Sequence, residues 1–162
     1  MAEQRNSAVT STADREIVIS RVLDAPRALA FDVWTDPQHV GQWYGPRGFT
    51  ITSHVMDVRA GGTWKFVMHG PDGVDYPNTI VFIEVVRPER LVYSHGGEEG
   101  ETGRFHVTVT FDEHDGKTLL TLRSLFESAA ARDWVVKEHH AIEGGNQTLD
   151  RFAEHLAKLV RR

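Results

Sequence analysis

The chain has 162 residues, 40% of them hydrophobic and 25% charged, with a formal net charge of −5. That length and mixture suit one globular core, and the acidic balance, with no Lys/Arg cluster before the last few residues, excludes nucleic acid as the main partner. The absence of cysteine excludes a disulfide framework, a thiolate metal site and a cysteine nucleophile.

Residues 1–13 are small and polar and read as a flexible N-terminal tail; residues 14–162 are expected to form a single domain. No apolar run reaches membrane-spanning length and no secretion-signal layout opens the chain, so a cytoplasmic protein without a membrane partner is expected. Ile17 to Leu23 is β-rich and reads as the first strand. Asp24 is a good N-cap and Pro26 fits a first helical turn, with Ala28, Phe31 and Trp34 giving that short helix an apolar face. Asp36-Pro37 repeats the signal for a second short helix, limited by Gly41. Trp43-Tyr44-Gly45-Pro46-Arg47-Gly48 reads as a loop carrying two large aromatics.

Six further strands follow. Phe49 to Val58 is the first of them, and Gly61-Gly62 turns the chain into Thr63–Met68, with Trp64, Phe66 and Met68 on one face. Asn78 to Val86 is a long β-branched strand, and Leu91 to His95 is the next. An acidic, glycine-rich loop spans Gly96 to Gly103. Phe105, Val107, Val109 and Phe111 alternate with polar residues, Asp115-Gly116 signals a hairpin, and Thr118 to Leu125 closes the series. The chain then becomes helical: a short piece near Ala129–Lys137 and a long helix from about Ala141. In the long helix Leu149, Phe152, Ala153, Leu156, Leu159 and Val160 form an apolar stripe, with His155 on the polar side. Glu154 and Lys158 are spaced for an ion pair. Strand, two helices, six strands and a long helix make an α+β chain: a curved antiparallel sheet gripping one terminal helix.

The ordered set Ala25-Pro26, Trp34, Asp36-Pro37, Trp43-Tyr44-Gly45-Pro46, the run Asp57 to Trp64, Pro71-Asp72-Gly73, Pro88-Glu89-Arg90-Leu91 and Asp150-Arg151 resembles the homologues of the heat-shock-protein-90 ATPase activator, within the START-like (helix-grip, SRPBCC) superfamily. The likeness runs from about Arg15 to Leu159. It implies a helix-grip fold, a seven-stranded sheet around the C-terminal helix, with an internal cavity for a small hydrophobic or amphipathic molecule. This sequence departs from the family at the start of the last helix. The family often carries Gly-Trp there, and this chain has Gly144-Gly145-Asn146-Gln147, which leaves more room or a more polar wall.

Trp64, Phe66, Met68, Phe82, Tyr93 and His95 are the expected cavity walls, with Trp43 and Tyr44 at the mouth. Arg123 and Gly145 complete the ligand-binding candidates. Periodicity alone favours a solid core for the aromatics; the resemblance favours a hollow one. An alternative function is a cyclase- or hydrolase-like reaction, which needs at least two of His95, Glu84 and Arg123 to converge in the cavity. A third is a chaperone-associated regulatory module, and self-association as a homodimer is also expected. Glu138-His139-His140 with Glu143 lacks the zinc-protease spacing and reads as a solvated face, not a metal site. No triad, phosphate loop or dinucleotide fingerprint is present, so no cofactor is expected.

Overall fold

The computed structural model describes residues 13–96 and 104–160. The expected tail, apart from Ala13, and most of the Gly96–Gly103 loop lie outside the described residues. A 3-10 turn at Ala13–Arg15 leads into β1 (Glu16–Leu23), α1 (Arg27–Thr35) and α2 (Pro37–Trp43). Then come β2 (Thr50–Met56), β3 (Thr63–His69), β4 (Asp75–Val86), β5 (Arg90–Gly96), β6 (Phe105–His114) and β7 (Lys117–Leu125). Helices α3 (Ala129–His139) and α4 (Ala141–Val160) finish the fold. All seven strands form one antiparallel sheet in the order β1-β7-β6-β5-β4-β3-β2. The helix-grip architecture expected from the chain order is therefore present.

The meander β2 to β7 follows from short hairpin links. The Asp115-Gly116 turn has both residues at positive φ, 54° and 79°, the twist a two-residue hairpin requires. Gly62 packs so closely on the Asp57 carbonyl that no side chain fits, and the turn's amide and carbonyl groups pair with Phe82 of β4. A bulge between Phe82 and Glu84 keeps Phe82 buried while Ile83 is 49% exposed. Strand β4 begins earlier than expected and includes Pro77. Among the described residues its pairing with β5 starts at Thr79, so Pro77, which pairs with Val67 of β3, has no described partner on its other side and its missing N–H is tolerated.

Several local expectations are corrected. Asp24 does not cap α1: the N-cap is Pro26, with no side-chain cap, and the Arg27 amide donates instead to Glu113 Oε1 at 2.9 Å. Gly41 does not stop α2, which Asp36 caps by accepting from the Gln38 amide and which continues to Trp43. Trp43 is thus helical, with Tyr44 as C-cap. In α4, Val160 is 46% exposed while His155 is buried, because His155 Nε2 and His39 Nδ1 of α2 share a 2.9 Å hydrogen bond. Glu154 makes its close ion pair with Arg47, at 2.6 Å, and the expected Lys158 adds a weaker charge attraction.

The core has a dense end. Trp43 is wholly buried, with ring centroids 4.8 Å from Trp34 and 4.6 Å from Phe152 of α4. Phe31 meets Phe111 of β6 at 5.4 Å. Edge-on rings at these distances fill space without voids. Arg21 of β1 reaches α4, pairing with Asp150 at 2.8 Å and donating to the Asn146 carbonyl at 2.9 Å. Among the described residues no helix is long and apolar enough to cross a membrane.

Candidate functional site

At the other end the helices stand off the sheet. An outer cleft of about 860 Å³ lies between α3, the start of α4 and the ends of β3, β4 and β5. An adjoining inner recess of about 290 Å³ runs under α4 toward β1 and β7. Met68, His95, Phe105 and Gly144 belong to both. Ligand pockets commonly span about 300–1,000 Å³, so the cleft has the size of one and the recess that of a deep subsite.

The helix start makes this space possible. A Cβ on Gly144 would stand 3.3 Å from Pro46 Cγ, and one on Gly145 2.5 Å from Ile19 Cδ1. The two glycines let α4 approach the Gly45-Pro46 loop and β1 while leaving the recess open beside them. Helix interior glycine costs about 1 kcal/mol relative to alanine, a cost offset here by close packing.

The opposite wall is the loop after α2. Arg151 holds it: its guanidinium donates to the carbonyls of Gly45 at 2.9 Å, Pro46 at 3.1 Å and Phe49 at 3.3 Å. Weaker contacts reach Tyr44 and Gln42. Burial lowers the Arg151 pKa, as does the nearby Arg47, with Glu154 opposing. Gln147 Oε1 accepts from the Arg47 amide at 3.2 Å.

The structure divides the expected site residues. Tyr44, Met68, Tyr93, His95 and Gly145 line the recess. Trp43, Trp64, Phe66 and Phe82 are buried in the solid core instead and line neither cavity. Trp64 and Phe66 stack at 4.1 Å behind Tyr44, so their face of β3 is filled by rings and only Met68, farther along, meets open space. Arg123 lies on the outer face of β7, exposed and paired with Glu16 at 3.2 Å. Glu84 pairs with Arg90 away from both cavities. Of His95, Glu84 and Arg123 only His95 reaches the cavity, so the convergence required for the cyclase- or hydrolase-like chemistry is not formed. Glu138, His139, His140 and Glu143 edge the outer cleft, and among the described residues no three such groups are arranged to hold a metal. Sequence reasoning did not assign Asn78, Phe105 or Trp134 to the site. Phe105 carried a signal in the alternation of its strand; Trp134, 58% exposed on α3, carried none.

His95 is the most perturbed polar group. Its Nε2 lies 2.9 Å from Asn78 Oδ1, while Asn78 Nδ2 donates to the Tyr76 carbonyl at 2.9 Å. Asn78 therefore offers an acceptor, and His95 carries its proton on Nε2. Burial among Phe66, Phe105 and Tyr93, then the Arg104 charge, lowers its pKa to about 4. Below about 6.5 an unfolded histidine takes a proton that this folded site refuses down to about 4. Stability should fall as pH drops through that window and flatten below it. The loss is bounded at about 3 kcal/mol, less because the ring edge meets the cavity. Denaturant unfolding from pH 7 to 4 checks this: His95→Phe should have the flatter profile, and parallel profiles would refute the assignment.

Comparison with known proteins bears on this arrangement of sheet, recess and pinned loop. The profile of the family described as Activator of Hsp90 ATPase homolog 1-like protein matches residues 24–157. The chain belongs to that family. Solved structures agree in fold. A protein from Arthrobacter aurescens, determined in solution by NMR, has a TM-score of 0.84 at 23% identity, covering 92% of this chain and 90% of that one. A crystal structure from Nitrosomonas europaea gives 0.80 at 22% identity, covering 93% and 99%. The AHSA1 protein from Silicibacter pomeroyi gives 0.73 at 22% identity, covering 88% and 97%. No curated protein matches. At these identities the neighbours show the fold and nothing finer. Arg151 and the Trp43-to-Pro46 segment, distant in sequence, form one structural unit.

Proposed function

We propose that this member of the family binds a small, uncharged, largely apolar molecule reversibly in the space between its sheet and α4, with no covalent step. The reading rests on one observation: an open cleft leads into a recess whose described lining contains no Asp, Glu, Lys or Arg. A charged ligand would lose its hydration there without a counter-charge, whereas an apolar one gains about 25 cal/mol per Å² buried. The adaptable Met68 and the rings of Phe105 and Tyr93 suit a flat apolar ligand.

A thermal-shift screen of apolar and amphipathic compounds tests this. A ligand at a hundred times its Kd stabilises by about 2.7 kcal/mol, several degrees in Tm for a chain of this size. Gly144→Leu, which places a branched side chain where cleft and recess meet, should abolish the shift while its far-ultraviolet circular dichroism stays native. If no compound raises Tm, or if Gly144→Leu responds like the parent, the cavity does not bind ligands.

A further inference from the structure

Three polar groups in the recess are left over by the fold. Tyr93 is only 3% exposed, yet its hydroxyl makes no hydrogen bond with any of the described residues, although its ring lines the recess. Tyr44 is half-buried and its hydroxyl also has no hydrogen-bond partner among the described residues; burial raises the pKa of both phenols, so both remain protonated donors. His95 has committed its Nε2 proton to Asn78, which leaves Nδ1 as a bare lone pair, an acceptor without a partner among the described residues. The three border one recess: the Tyr93 and His95 rings are 6.4 Å apart, and Tyr44 lines the same space. Of the other polar side chains that border the recess, Thr148 is spent on the Gly144 carbonyl at 2.9 Å, while Ser124 and His139 stand along the same wall.

Buried polar groups in native proteins are almost always satisfied. Among the described residues the enclosed side-chain polar atom without a partner is Arg21 Nε; the two hydroxyls and Nδ1 instead open onto the recess, where water or a ligand meets them, and their pattern states which ligand. An acceptor-only nitrogen beside two hydroxyl donors matches a group that donates and accepts at once. A ligand hydroxyl does so, giving its proton to Nδ1 and receiving one from a tyrosine. A carbonyl or ether would leave the nitrogen unmet, and a carboxylate would face its lone pair. We propose that the recess is a hydroxyl-recognition subsite, selecting neutral, planar aromatic ligands that carry a phenol or alcohol. This rests on the cavity-binding reading and names the chemistry of its ligand.

The test titrates the full chain at neutral pH with three probes of one shape: naphthol, its methyl ether and the corresponding naphthoate. Naphthol should bind about tenfold more tightly than the ether, as expected for one buried hydrogen bond made rather than left unmet, and naphthoate should not bind measurably. His95→Phe, checked for native circular dichroism, should remove the preference for naphthol over the ether, whereas Tyr93→Phe should weaken both, because either oxygen accepts from the tyrosine hydroxyl. Equal binding of naphthol and ether, tighter binding of naphthoate, or a preference retained in His95→Phe each overturn the hydroxyl subsite while cavity binding stands. Failure of all three probes to bind also overturns it. The cavity reading then stands or falls separately on the thermal-shift screen.

Discussion

Replacing Trp43 with alanine should cost about 3–5 kcal/mol, much of the 5–15 kcal/mol by which a typical domain is stable. The indole is wholly buried, sits within 5 Å of the Trp34 and Phe152 rings, and donates from Nε1 to the Val33 carbonyl at 3.3 Å. Its loss would open a void between α1, α2 and α4 that the surrounding rings are too rigid to close, and it would strand a buried acceptor. Thermal unfolding should shift down by on the order of 10 °C. Trp134→Ala is the internal contrast, since an indole 58% exposed on α3 should change stability by no more than about 0.5 kcal/mol. Equal effects at the two tryptophans would contradict the packing described above.

Arg151→Met should destabilise by about 2–3 kcal/mol and open the loop from Gly45 to Phe49 to cleavage. One guanidinium gathers the carbonyls of Tyr44, Gly45, Pro46 and Phe49. Without it those oxygens must turn toward water, and the loop that walls the recess moves away with them. Arg151→Lys should recover little, because an ammonium cannot present a planar fan of donors. Denaturant unfolding measures the first effect, and limited proteolysis between Gly45 and Phe49 measures the second. A variant with the parent's stability and the parent's resistance to cleavage there would show that the loop holds itself.

The site was less legible than the fold, for reasons that specific residues make plain. The α4 stripe was readable because Leu149, Phe152 and Leu156 recur at helical spacing, and that periodicity survives any detail of packing. His155 was misplaced because burial of a polar residue depends on a partner, and His39 is 116 positions away. Gly45 and Pro46 make the segment at Trp43 look like loop, yet α2 runs on to Trp43. Its spacing of three from Val40 was the signal that both lie on one face of α2. Arg123 and Glu84 sat in strands whose inner face could not be chosen from alternation alone: Leu120 and Leu122 argued for one side of β7, Leu119 for the other.

Local chemistry along the chain was sufficient for the elements themselves: turns at Asp115-Gly116 and Gly61-Gly62, the Asp36 cap, alternating strands and an amphipathic terminal helix are all short-range effects of backbone sterics and hydrophobic periodicity. Only the assembled fold decided that β1 closes on β7, that Arg151 pins the loop after α2, and that the aromatics of β3 fill space while Tyr44, Tyr93 and His95 border an opening. Those outcomes depend on contacts between residues up to 125 positions apart, as between Arg21 and Asn146. Whether an inward side chain meets another side chain or a void is a property of the facing element, which no single stretch of sequence contains.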